Sequence, residues 1–162
     1  MSELFFDESV ILLDLECTAK EEVLTKMGRN LVNNNLVKES FIDAIITREF
    51  EFATGLPTAG VSVAIPHTDV HHVNRKTISM GVLNETVDFG VMGDDSETTP
   101  VKLVFMLAMD EAHSQLSLLQ QLMQIFQSEE TLQYLVTEQN KTNIKQLIKE
   151  KINSDSLEGD GK

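Results

Sequence analysis

Hydrophobic and polar positions along the chain fall into blocks whose period switches between that of a helix and that of a strand. Val23, Leu24, Met27, Leu31 and Val32 share one face of a helix, and Thr18-Ala-Lys-Glu21 ahead of them has the form of a capping box. In such a box a hydroxyl and a carboxylate satisfy the free amides at a helix start. This predicts a helix over 19–33, which Asn33-Asn34-Asn35 breaks; Phe41, Ile42, Ile45 and Ile46 predict a second that ends near Arg48. Val61, Val63 and Ile65 then recur at every second residue, the period of a strand, and Pro66 removes a backbone donor and halts the ladder.

Further strands are predicted over 77–83 and 101–109, with a shorter one over 87–89. Residues 103–109 are almost continuously apolar, as expected of a strand buried on both faces. Residues 90–100, rich in Gly, Asp, Ser and Thr, read as a loop. Leu116, Leu119, Met123 and Phe126 keep helical spacing through 112–127, and shorter helices follow over 129–137 and 143–152. Helices before and after a group of strands predict an α/β protein: a three-layer α/β/α sandwich with a central mixed β-sheet, folded as a single domain over 1–152. Residues 153–162 offer no core residue except Leu157, which predicts a flexible C-terminal tail.

Composition narrows the class. With 162 residues of which 41% are hydrophobic, the chain can bury one substantial core and is too short for two ordinary domains. It has no apolar run long enough to span a bilayer and no secretory leader, so a cytoplasmic protein without membrane insertion is expected. Cys17 has no partner for an internal disulfide, fits a reducing compartment and reads as a small packed residue. A net charge of −13 with scattered Lys and Arg argues against nucleic acid as a partner.

The chemistry centres on His67, which follows Pro66 just past the carboxyl end of the strand at 61–65, the edge at which open α/β sheets bind ligands. A histidine with its ordinary pKa of about 6.5 offers a neutral nucleophilic nitrogen near neutral pH, suited to carrying a phosphoryl group with no cofactor and no metal. The transition state of such a transfer is loose and in line, so the protein's work is to position the ring and neutralise three oxygens. Arg48 has a donor fork suited to phosphate, although a cation at a helix end also offsets the macrodipole. His113 falls in the first turn of the helix at 112–127, where free amides favour an anion; it is otherwise an exposed first-turn residue. If the strands ending near Ile65 and Met109 are parallel, both histidines reach one edge. Zinc is disfavoured: His67, His71 and His72 have H-x3-H-H spacing, but Pro66 makes the segment a turn and no nearby ligands complete a tetrahedral set.

The segments TREFEFATGLPTAGVSVAIPHTDVHHV and DDSETTPVKLVFMLAMDEAHSQLSLLQQL together resemble the enzyme IIA domain of the fructose and mannitol class in the sugar phosphotransferase system (PTS EIIA type 2). The likeness runs over about 5–152, and REFEFATGL with IPHTDVHHV is most similar to the galactitol-type branch. The resemblance implies that His67 accepts a phosphoryl group from the histidine-containing phosphocarrier protein and passes it to a cysteine of a cognate IIB protein. Through IIB the group would reach a IIC membrane permease. It implies Nε2 as the acceptor atom, with Nδ1–H held by a backbone carbonyl, and phosphate stabilisation by Arg48 and His113. Thr54 is either a phosphate contact or a turn residue before Gly55. Cys17 lacks the Gly- or Ser-rich surroundings of a IIB cysteine, so a stand-alone IIA is expected. Galactitol is the sugar implied; the alternative is a regulatory module whose phosphorylation reports flux without feeding a transporter.

Overall fold

The two N-terminal helical stripes fold against each other because each buries one apolar face. A 3-10 turn at Glu8–Val10 leads into β1 (Ile11–Leu15), and α1 (Lys20–Asn33) and α2 (Ser40–Glu51) follow. Val23, Leu24, Met27 and Leu31 of α1 are buried, as are Phe41, Ile42 and Ile45 of α2. Gly28 lets the helices approach: a Cβ there would stand 3.0 Å from Cγ1 of Ile42. In this computed structural model the described residues are 4–58 and 60–152, the side chains of 112–115 excepted. The tail expected over 153–162 lies outside them.

The start of α1 corrects the expected capping box by one residue. Ala19 is the extended cap and makes no side-chain hydrogen bond, so the third helical position falls on Glu22. Glu22, not Glu21, accepts from the Thr18 amide at 2.9 Å.

β2 (Gly55–Leu56) and β3 (Ser62–Ala64) form a small antiparallel pair, while β4 (Thr77–Val91) and β5 (Asp94–Ala108) form a long antiparallel ribbon. α3 (Ala112–Phe126), α4 (Glu129–Thr137) and α5 (Lys141–Ile152) complete the chain. The sheet order is β1-β4-β2-β3-β5, and β4 and β5 pair as well, so β4, β2, β3 and β5 close a circuit with β1 outside it. β1 is parallel to β4 and β3 is parallel to β5, which makes the sheet mixed.

Three layers follow from side-chain alternation. Gly81 of β4 lies opposite Val104 of β5, and a Cβ at Gly81 would stand 2.8 Å from Sδ of Met27 in α1. Phe105, the next residue of β5, points to the other face and packs on Phe126 of α3 with ring centroids 5.6 Å apart. α1 and α3 therefore cover opposite faces. Thr77, Ile78, Ser79, Met80, Gly81, Val82 and Leu83 are all buried, as a strand covered on both sides requires. Among the described residues no helix is long and apolar enough to cross a membrane.

The expected loop at 90–100 is instead the outer arm of the ribbon, turning at Met92-Gly93 with Gly93 at φ 80°. Phe89 pairs with Thr99 and Gly90 with Thr98. Gly, Asp, Ser and Thr look loop-like there because most of that arm faces solvent and has no apolar face to maintain. The short strand expected at 87–89 belongs to the same β4, beyond a register shift between Val82 and Val87. β1 was not anticipated: its Ile-Leu-Leu-Asp-Leu lacks alternation, and Asp14 has a positive φ of 56° at an irregularity in the pairing. The turn expected at Thr54 and Gly55 instead leads into the two residues of β2, Gly55 and Leu56.

Closure of the circuit depends on Gly55, which pairs with Ala64 of β3 and Val91 of β4. A Cβ there would stand 2.5 Å from the Gly90 carbonyl oxygen and 3.2 Å from Phe89 Cβ. Backbone cannot swing aside as a side chain can. Gly55→Ala is expected to cost about 1–3 kcal/mol, seen as a lower urea midpoint at unchanged m-value; an unshifted midpoint would show that the approach of β2 to β4 carries no stability.

Candidate functional site

β3 ends at Ala64, two residues ahead of Pro66, which has no N–H to donate, yet the chain keeps alongside β5. The Leu107 amide donates to the Pro66 carbonyl at 2.9 Å, and His67 lies level with Leu107 in a parallel bridge. The backbone of His67 is thus fixed at the carboxyl end of β3. Its ring is half-buried, with Nδ1 2.8 Å from the Ile65 carbonyl oxygen. A carbonyl only accepts, so Nδ1 carries the proton and the neutral ring keeps its lone pair on Nε2. Burial is the main cause that holds the His67 pKa below 6.5; the Arg48 charge adds to it and the Ile65 carbonyl opposes it.

Parallel pairing of β3 with β5 sends the ends of both strands to one edge. The chain leaves β5 at Ala108 and enters α3 at Ala112, which places the backbone of His113 in the first turn of α3. The condition for the two histidines to meet is therefore satisfied at the level of the backbone; the His113 side chain lies outside the described residues.

Arg48 stands in the last turn of α2, which runs on to Glu51. Its guanidinium lies over the Phe52 ring at 4.7 Å and reaches Oδ1 of Asp69 at 4.0 Å, two residues past His67. Stacking sets the plane of the guanidinium without using its donors, and Nε is buried with no hydrogen-bond partner among the described residues. Arg48, Ser40, Thr47, Thr68, Asp69 and His72 line a cleft of about 430 Å³ between α2 and the segment after His67.

Thr54 is 3% exposed and its hydroxyl is already engaged. It donates to Oε1 of Glu49 at 2.9 Å and accepts from the Ile65 amide at 3.2 Å, while the Thr54 amide donates to Oε2 of Glu49 at 2.8 Å. The structure thus sets Thr54 between α2 and the end of β3. Glu49 was missed from sequence although a signal existed: it continues the buried stripe of Phe41, Ile42 and Ile45, where a carboxylate is out of place. Burial raises its pKa, and the two bonds from Thr54 oppose the shift.

His71 and His72 lie in a 3-10 turn at Val70–His72 with ring centroids 4.2 Å apart, and Nδ1 of His72 is 2.8 Å from the Ser40 hydroxyl. Cys17 is buried, which raises its thiol pKa.

Residues 4–151 match the family model described as phosphoenolpyruvate-dependent sugar phosphotransferase system, EIIA 2. The chain is 29% identical over 137 residues to the galactitol-specific EIIA component of Escherichia coli K12, covering 85% of this chain and 87% of that one. It is 30% identical over 151 residues to the mannitol-specific enzyme IIA component of Staphylococcus aureus N315, covering 93% and 98%. Among solved structures, the Escherichia coli mannitol enzyme IIA in complex with phosphorylated enzyme IIB superposes with a TM-score of 0.74 at 22% identity, covering 90% of this chain and 98% of that one. The crystal structure of Escherichia coli mannitol IIA gives 0.71 at 23%, covering 89% and 99%. These two likenesses establish the fold.

The ring of His67 should titrate below 6.5 when followed by NMR, and Arg48→Met should raise the midpoint by removing a nearby positive charge. The linkage has a definite sign. Folded His67 holds its proton less tightly than an unfolded histidine, so the unfolded chain protonates first as pH falls through 6.5. His67 therefore subtracts stability progressively from 6.5 down to its folded midpoint and nothing above. A midpoint at or above 6.5 would contradict the buried, Nδ1-protonated ring.

Proposed function

The chain belongs to the EIIA 2 family of the phosphoenolpyruvate-dependent sugar phosphotransferase system, and from that premise we propose that His67 is its phosphoryl-carrying residue. The observation that carries the proposal is the hydrogen bond from Nδ1 to the Ile65 carbonyl, which leaves the Nε2 lone pair at the sheet edge. In the proposed cycle, Nε2 attacks the phosphorus held on a histidine of the phosphocarrier protein. The new P–N bond forms as the donor's P–N bond breaks, and Nδ1 keeps its proton throughout. The Ile65 carbonyl then offsets the positive charge of the phosphorylated ring. A cysteine thiolate of the cognate IIB protein takes the phosphoryl group in the second half and returns His67 to its neutral form.

Arg48 would neutralise the travelling oxygens with the donors that its stacking on Phe52 leaves unused. His113 would serve at the same edge, in the first turn of α3, where free amides favour an anion. Thr54 would act on the phosphoryl group only through the backbone it holds, since its hydroxyl is engaged. The chain would work in the cytoplasm as a domain spanning 1–152, and the sugar would meet the IIC permease rather than this protein. Galactitol is the proposed cargo, with mannitol next. The two relatives named for these sugars are about equally similar to this chain, and both sugars are six-carbon polyols.

Incubation with phosphoenolpyruvate, enzyme I and the phosphocarrier protein should place one acid-labile phosphate on His67 and none on His67→Ala. Phosphate on His71, His72 or His113 with continued turnover of His67→Ala would overturn the assignment. Adding purified galactitol and mannitol IIB proteins identifies the acceptor; phosphorylation at His67 with transfer to no IIB cysteine would point to a regulatory module instead.

Arg48→Lys separates a phosphate clamp from a helix-end cation. An ammonium answers the macrodipole but cannot reproduce the fork, so the thermal midpoint should hold while single-turnover transfer slows by more than about tenfold, or about 1.4 kcal/mol. Equal rates would remove Arg48 from the transfer step.

A further inference from the structure

The transfer scheme leaves Glu49 without a role, although it is the one carboxylate buried among the described residues, at 1% exposure. No salt bridge to it is present among those residues; Lys20 acts on it only at longer range. A carboxylate without a close cation is costly to bury. A loop amide can be capped by a neutral side chain, so capping does not by itself account for a charged group at this position.

The connectivity of Glu49 suggests what does. Its two oxygens accept both donors of Thr54, the amide at 2.8 Å and the hydroxyl at 2.9 Å. With the Thr54 proton committed to Glu49, a lone pair of the same hydroxyl faces the Ile65 amide, which donates to it at 3.2 Å and, at the longer distance of 3.4 Å, to the Thr54 carbonyl. Ile65 is held again on its other side, because Leu107 fixes the carbonyl of the next residue, Pro66, at 2.9 Å. Between these two restraints the Ile65 carbonyl receives Nδ1–H of His67 at 2.8 Å.

We propose that Glu49 is a positioning residue for His67: its paired oxygens orient Thr54, Thr54 holds Ile65, and the Ile65 carbonyl sets the tautomer and plane of the imidazole. The role rests on His67 as the phosphoryl carrier, but it concerns the resting ring and can be read without phosphate. A carboxylate suits it better than an amide. Glutamine presents one oxygen and one NH2 to two donors, so one of the Thr54 donors loses its acceptor.

Glu49→Gln, Thr54→Val and Thr54→Ser decide it, each checked for folding by a melting curve. Long-range 1H–15N NMR of the unphosphorylated protein should show His67 protonated at Nδ1 in wild type and in Thr54→Ser. Glu49→Gln and Thr54→Val should instead populate the Nε2–H tautomer, and single-turnover transfer to His67 should fall by more than about tenfold, the scale seen when the partners that orient a metal-bound imidazole are removed. Folded Glu49→Gln or Thr54→Val with the wild-type tautomer would overturn the proposal whatever the transfer rate. If Glu49→Gln does not fold, the Thr54 pair decides by the same criterion. If wild type takes no phosphate from the phosphocarrier, the carrier reading fails while the NMR comparison still decides the positioning.

Discussion

Parallel pairing of β3 with β5 is the constraint on which the rest of the site depends. A three-residue strand has little holding power of its own, so His67 would belong to a loop if β3 were not registered against the long β5. The pairing extends past Pro66 through the Leu107 amide, which fixes the backbone of His67 rather than only its approach. Parallel sense also carries the start of α3 to the same edge. An antiparallel β3 would have sent the histidine to the opposite end of the sheet from Ala112.

α2 contributes to this edge from a single turn. Arg48 and Glu49 are neighbours in sequence, yet one lies half-exposed over Phe52 and the other is buried under Thr54. Consecutive positions on a helix point about 100° apart, which lets one turn address the surface and the interior together. The buried stripe of Phe41, Ile42 and Ile45 holds that turn in place, so ordinary core packing sets the geometry of both charged groups.

Much of this was legible in the sequence, and the rest was hidden for definable reasons. Strong periodicity placed α1, α2 and the helices after β5 to within a few residues, and the alternation ahead of Pro66 placed β3. The ribbon arm beyond Val87 was hidden because a solvent-facing hairpin needs no apolar pattern, and Gly, Asp, Ser and Thr serve it as well as they serve a loop. β1 was hidden because Asp14 interrupts it. At the site, residue types pointed to His67, Arg48 and Thr54, but the bonding of Thr54 depends on a contact between the end of α2 and the end of β3 that no local pattern encodes. Glu49 left a trace, a carboxylate on an apolar stripe, whose meaning needed the partner residues in space.

The closed circuit of β4, β2, β3 and β5 also bears on how the molecule keeps to itself. Where strands are paired on both sides they offer no row of free backbone donors and acceptors to another chain; among the described residues the open margins of the sheet are β1 and the outer arm of the ribbon, where Asp94 to Pro100 lie along β4 alone. The β1 margin is five residues long and is kinked by Asp14, at φ 56°, in its fourth position, and the ribbon margin carries Asp94, Asp95, Glu97 and Pro100. A short, kinked, charge-bearing margin is a poor template for strand addition, and a net charge of −13 opposes close approach of a second copy. Among the described residues, margins of this kind give a passing contact with another chain little backbone on which to grow into a shared sheet.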